Sequence, residues 1–179
     1  DNGEDVEKLG PVIVNQPEGY TRHFRDPKIW KEGEVYYAVI GAQRENLTGA
    51  AALYSSGDMK NWNFLGEIKT NLENFGYMWE CPDYFEIKGE GVFIFSPQGI
   101  PPEGDRYNNI YQSGYVLGNL DLEKATLNHG VFHELDRGFD FYAPQTMIDE
   151  KGRRIMVAWG GLPEVSYPTE DKGWVHCLT

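Results

Sequence analysis

Asp26-Pro27-Lys28-Ile29-Trp30-Lys31-Glu32-Gly33 returns twice in altered form, as Cys81-Pro82-Asp83-Tyr84-Phe85-Glu86-Ile87-Lys88-Gly89 and as Ala143-Pro144-Gln145-Thr146-Met147-Ile148-Asp149-Glu150-Lys151-Gly152. Each copy has a Pro, a short apolar strand, a charged turn with Gly, and a second strand. Those second strands are Val35–Gly41, Val92–Ser96 and Ile155–Gly160. The prolines at 27, 82 and 144 are spaced 55 and 62 residues apart. That exceeds the roughly 40–45 residues of a WD40 blade, but leaves room for four strands with longer loops. One antiparallel sheet per repeat, repeated in series, stacks radially into a β-propeller. A pair of β-sandwich sheets is the rival arrangement.

Outward from these repeats the apolar segments stay short, β-branched or aromatic, and bounded by Gly, Asn, Asp or Pro. The pattern predicts strands at 28–30, 34–40, 50–55, 62–68, 84–87, 91–96, 110–117, 130–135, 145–148 and 154–159, and no helix. Aromatics make up 14% of the 179 residues, with 21 Gly and 10 Pro, which suits many strands joined by turns. Flat rings also pack on the apolar faces of sugars, although any single ring serves equally well as sheet core.

A net charge of -12 repels phosphate backbones and argues against nucleic acid. No apolar run reaches the roughly 18 residues that read as a membrane span. The first residues, Asp1 to Lys8, are acidic and polar and do not read as a signal peptide. Two cysteines, Cys81 and Cys177, are too few for a disulfide framework, so a reduced, cytoplasmic setting is expected. His23, His129, His133 and His176 show no metal-ligating spacing, and no phosphate loop or nucleophile elbow occurs. No cofactor and no metal are expected.

The Pro is placed at the start of the first strand of each unit, where the ladder has not begun and a missing N–H is tolerated. In a propeller that strand lines the axis. Arg25-Asp26, Trp79-Glu80-Cys81 and Phe141-Tyr142-Ala143 then meet at one funnel. Two carboxyls and aromatics around one pocket suit glycoside cleavage. That reaction needs one acid to protonate the leaving oxygen and negative charge to support an oxocarbenium-like transition state. The apolar flank of Glu80 favours its protonated form, and Arg25 favours ionised Asp26. The plainer alternative is an Arg25–Asp26 turn ion pair and a solvated Glu80.

The motifs around these residues resemble those of glycoside hydrolase family 32, the invertase and fructanase family. His23-Phe24-Arg25-Asp26-Pro27-Lys28 resembles its RDP motif, and Met78-Trp79-Glu80-Cys81-Pro82-Asp83 its EC motif. Gly138-Phe139-Asp140-Phe141-Tyr142-Ala143-Pro144-Gln145 resembles the downstream FYA segment. The resemblance runs from about Pro11 to Thr179. Within the family, Phe95–Gly99, Asn108–Tyr115 and Phe141–Gln145 look like bacterial sucrose-6-phosphate hydrolases more than plant invertases.

The resemblance implies a retaining enzyme on a five-bladed propeller followed by a β-sandwich. It implies Glu80 as general acid/base and Asp26 as transition-state stabiliser. Arg25, Cys81, Trp79, Tyr142, Trp159 and Asp140 are implied around the sugar, with Cys81 tuning Glu80. The substrate would be sucrose, sucrose 6-phosphate or a fructan, with Lys28, Arg106 and Arg137 available to a phosphate. The family's nucleophile motif, close to Trp-Met-Asn-Asp-Pro-Asn-Gly, has no counterpart in this sequence. The expectation is therefore an all-β internal piece of about three four-stranded blades, at 20–70, 75–135 and 138–179. It would lack the first blade and the C-terminal β-sandwich, and would be inactive alone. A non-catalytic carbohydrate-binding propeller, an inulinase or levanase, and a five-bladed arabinose- or xylose-directed glycosidase are the alternatives.

Overall fold

The computed structural model describes residues 6–138, 141–161, 164 and 166–174. The fold is all-β. Strands β1 (Tyr20–Glu32), β2 (Val35–Arg44), β3 (Gly49–Ser56) and β4 (Asn63–Glu67) form one antiparallel sheet in chain order. A second sheet runs β5 (Met78–Ile87), β6 (Glu90–Gln98), β7 (Gly114–Asp121) and β8 (Thr126–His129), and β9 (His133–Glu134) also pairs with β7. The hairpin of β10 (Tyr142–Ile148) and β11 (Arg154–Trp159) follows. A 3-10 turn at Glu170–Lys172 is the one helical element among the described residues.

The first strand of each sheet begins before its proline, contrary to the expectation that Pro opens it. Pairing skips Asp26-Pro27, Cys81-Pro82 and Ala143-Pro144, so each proline sits in a β-bulge. A bulged residue has no ladder bond to lose, so Pro is tolerated there. The residue before each proline has positive φ: 61° at Asp26, 49° at Cys81 and 52° at Ala143. None is glycine, so each bulge costs about 1–3 kcal/mol that the surrounding packing must offset. The repeat seen in the sequence is thus a repeated backbone distortion.

The strand predicted at 110–117 starts only at Gly114. Gln112 and Ser113 are buried and hydrogen-bond to the Asn109 carbonyl and the Ser96 hydroxyl instead. The 130–135 segment contributes only His133–Glu134, while Thr126–His129 forms an unforeseen strand with one buried apolar residue, Leu127.

The main core lies between the first two sheets. Val39, Ala51 and Leu53 meet Trp79, Phe93, Phe95, Val116 and Phe132 there. The close approach depends on Gly41 and Gly49. A Cβ at Gly41 would lie 2.2 Å from the Trp79 carbonyl oxygen, and one at Gly49 would lie 2.3 Å from the Trp79 ring. Sheet two in turn touches β10. The β10–β11 hairpin leaves Met147, Ile148, Met156 and Val157 exposed.

Candidate active site

The three bulges bring their residues together. Arg25 on β1 reaches across to Glu80 on β5, with Nε and Nη2 donating to Oε1 at 2.8 and 2.6 Å. Its Nη1 lies 3.0 Å from Nδ1 of His23. The other Glu80 oxygen, Oε2, accepts from Nε2 of Gln98 at 2.8 Å and from the Tyr142 hydroxyl. Both oxygens are held, and the Glu80 side chain is 15% exposed, so it is shielded but reachable.

Asp26 lies beside it. Its Oδ2 accepts from the Cys81 backbone N–H at 3.1 Å, and the Cys81 thiol stands 3.6 Å away. The left-handed backbone at Asp26 and Cys81 makes this possible, because it turns the carboxylate of one bulge onto the peptide of the next. Asp and Asn adopt that conformation more readily than other non-glycine residues.

Two expectations need correction here. The Arg25 guanidinium pairs with Glu80, not with its sequence neighbour Asp26, because the bulge separates the two side chains while β1 and β5 run side by side. Cys81, expected to act on Glu80, directs both its N–H and its S–H at Asp26. Burial, then the negative charges of Asp26 and Glu80, push the Cys81 thiol up to about 12, so it stays a neutral donor. Tyr142 is raised further still, by burial first and by its bond to Glu80 second, and likewise remains a phenol.

Trp79 does not face this site. It is 1% exposed, donates its indole N–H to the Phe75 carbonyl at 2.7 Å and packs on Phe95 at 4.5 Å. Neighbours on a strand point to opposite faces, so a strand that offers Glu80 to the site sends Trp79 into the core. Replacing Trp79 with Ala in the full-length protein is expected to cost about 3–5 kcal/mol in denaturant unfolding. A Trp79→Ala protein of unchanged stability with weakened substrate binding would return Trp79 to the site.

Trp159 pairs with Tyr142 across the β10–β11 hairpin and is half-buried. Asp140 lies outside the described residues. The three cations considered for a phosphate have partners already. Lys28 is ion-paired at 3.1 Å to Asp83, a fully buried carboxylate that also accepts from the N–H and hydroxyl of Thr146, both at 2.7 Å. Lys28 thus ties β1, β5 and β10 together below the site. Arg106 pairs with Glu103 at 2.8 Å and Arg137 with Glu134 at 3.5 Å.

Gln98 and Gln145 were missed by the sequence reading. Gln98 ends β6 opposite Met78, within reach of Glu80. Gln145 donates to the Cys81 carbonyl at 2.9 Å and joins the second bulge to the third. Both lie inside stretches that carry the family resemblance, Phe95–Gly99 and Gly138–Gln145, but glutamines carry no charge to mark them, and the strand register shows what they reach.

The Glycosyl hydrolases family 32 N-terminal domain matches residues 1–179. The chain belongs to glycosyl hydrolase family 32. Among family members, it is 56% identical over 168 residues to a sucrose-6-phosphate hydrolase of Staphylococcus xylosus, covering 94% of this chain and 34% of that protein. The structure of a Bombyx mori GH32 beta-fructofuranosidase superposes with a TM-score of 0.85 at 44% identity, over 93% of this chain and 36% of that one. That of a sucrose-6-phosphate hydrolase from Lactobacillus gasseri gives 0.86 at 33% identity, over 95% and 36%. The chain spans about a third of the length of the curated relatives it matches.

Proposed function

We propose that the full-length protein is a retaining β-fructofuranosidase in which Glu80 is the general acid/base and Asp26 the transition-state stabiliser. One observation carries this: two carboxylates from adjacent bulged strands are held side by side by Arg25, Gln98, Tyr142 and the Cys81 N–H. Glu80 protonates the glycosidic oxygen as its bond to the fructosyl anomeric carbon breaks. Asp26 sits against the fructosyl ring, where positive charge develops, and binds its hydroxyls. After the leaving group departs, Glu80 takes a proton from the water that releases fructose.

The names of the relatives favour sucrose or sucrose 6-phosphate as substrate. A fructanase differs only in the leaving group. The three sheets are read as blades at 20–70, 75–135 and 138–179 of a five-bladed propeller, supported by the threefold bulge and the in-order packing. A reducing, cytoplasmic setting goes with a thiol that serves Asp26 as a donor.

The nucleophile belongs to a motif with no counterpart in residues 1–179. A polypeptide of these residues alone is therefore expected to hydrolyse no sucrose and no sucrose 6-phosphate, since no covalent fructosyl intermediate can form. Side-by-side assay of both sugars with the full-length protein and with the 1–179 polypeptide tests this. Turnover by the short polypeptide would refute the assignment of roles. Binding without turnover by the full-length protein would favour the carbohydrate-binding alternative.

A further inference from the structure

We infer that Tyr111 and Glu164 form the subsite for the leaving-group sugar. This rests on the reading of Glu80 as general acid.

The acid must stand at the glycosidic oxygen, with the fructosyl ring on one side and the leaving group on the other. Glu80 has two distinct sides. Its Oε1 faces Arg25 and the β1 strand that carries Asp26. Its Oε2 faces Gln98 and Tyr142. With the fructosyl ring on the Asp26 side, the leaving group falls on the Gln98–Tyr142 side.

Tyr111 is the next residue outward there. Its backbone bridges Gln98, and its ring meets that of Tyr142 at 5.5 Å and 42°. Its hydroxyl donates to Oε1 of Glu164 at 2.6 Å. Tyr111 is half-buried and Glu164 exposed, so the line from Glu80 through Tyr142 and Tyr111 to Glu164 runs from the shielded site to solvent.

A flat ring beside an anchored carboxylate is how proteins hold a hexose. The ring covers the apolar C–H face, and the carboxylate accepts from sugar hydroxyls. Tyr111 orients Glu164 before the sugar arrives, which lowers the ordering cost of binding. The occupant this chemistry selects is a polyhydroxy ring, such as the glucosyl unit of sucrose.

The test compares two substrates of the full-length protein: sucrose, whose leaving group is a hexose, and para-nitrophenyl β-D-fructofuranoside, whose leaving group has no hydroxyls to offer. Glu164→Gln is expected to lower the ratio of kcat/KM for sucrose over kcat/KM for the aryl fructoside by about 10- to 100-fold, the range of a hydrogen bond to a charged group. Tyr111→Phe keeps the ring but frees the carboxylate, and is expected to shift the same ratio in the same direction by a smaller factor. Inhibition by free glucose is expected to weaken in parallel, with inhibition by fructose unchanged. An unchanged ratio and unchanged glucose inhibition in both variants would overturn this assignment while leaving the roles of Glu80 and Asp26 standing. If the wild-type protein cleaves none of sucrose, sucrose 6-phosphate and the aryl fructoside, the reading of the site fails and this assignment with it.

Discussion

Glu80→Gln in the full-length protein is expected to lower kcat on sucrose-type substrates by about 10²–10⁴-fold, the usual worth of a positioned proton donor. The amide matches the carboxyl in shape. Its carbonyl oxygen can still accept from Arg25, and rotation of the Gln98 amide can satisfy the new N–H2 group. Structural damage is therefore expected to be slight, with unchanged circular dichroism and unfolding midpoint. A second signature separates acid catalysis from mere contact. A fructoside whose leaving group needs no proton, such as a fluoride, is expected to lose far less in the bond-breaking step than the disaccharide does. Turnover of sucrose-type substrates at the wild-type rate would remove Glu80 from the acid role. Equal losses on both substrates would point to a binding defect instead.

Asp26→Asn is expected to cost about 10²–10³-fold in kcat, as for loss of one group that stabilises developing charge. This substitution isolates the charge. Position 26 has φ of 61°, a conformation that Asn adopts as readily as Asp. The amide oxygen can still accept from the Cys81 N–H, which Asp26 accepts now at 3.1 Å. The backbone and the link between the two bulges thus survive, and only the negative charge is lost. An effect confined to KM would mean that Asp26 binds the ground state and transition state equally. The stabiliser role would then be wrong.

The sheet order was legible because Val35–Gly41, Val92–Ser96 and Ile155–Gly160 are apolar and β-branched, and because glycine turns such as Lys88-Gly89 fall between them. The bulges were not legible. Positive φ at Cys81 and Ala143 is not a preference of either residue type, so the residues themselves give no sign of it. A proline marks an interruption of pairing, but its missing N–H fits the start of a strand as well as a bulge, so the sequence does not tell the two apart. Trp79 was misplaced for a reason that strand geometry could have corrected. A residue next to Glu80 on the same strand faces the other way, and large aromatics are core residues more often than ligands. The partner of Arg25 was also beyond reach, since which of two carboxylates it meets depends on the path of β1 past β5. Asp83 looked like part of a motif and proved to be a buried strut, tied to Lys28 and Thr146 from the two flanking inner strands.

All of these assignments need Asp26 and Glu80 to address one furanose ring. The most direct measurement is a crystal structure of the full-length Glu80→Gln protein soaked with sucrose. The account predicts a fructosyl ring with its hydroxyls on the Asp26 carboxylate and its glycosidic oxygen within hydrogen-bond reach of the residue 80 amide. A sugar bound clear of both side chains, or touching one with the other turned away, would contradict it.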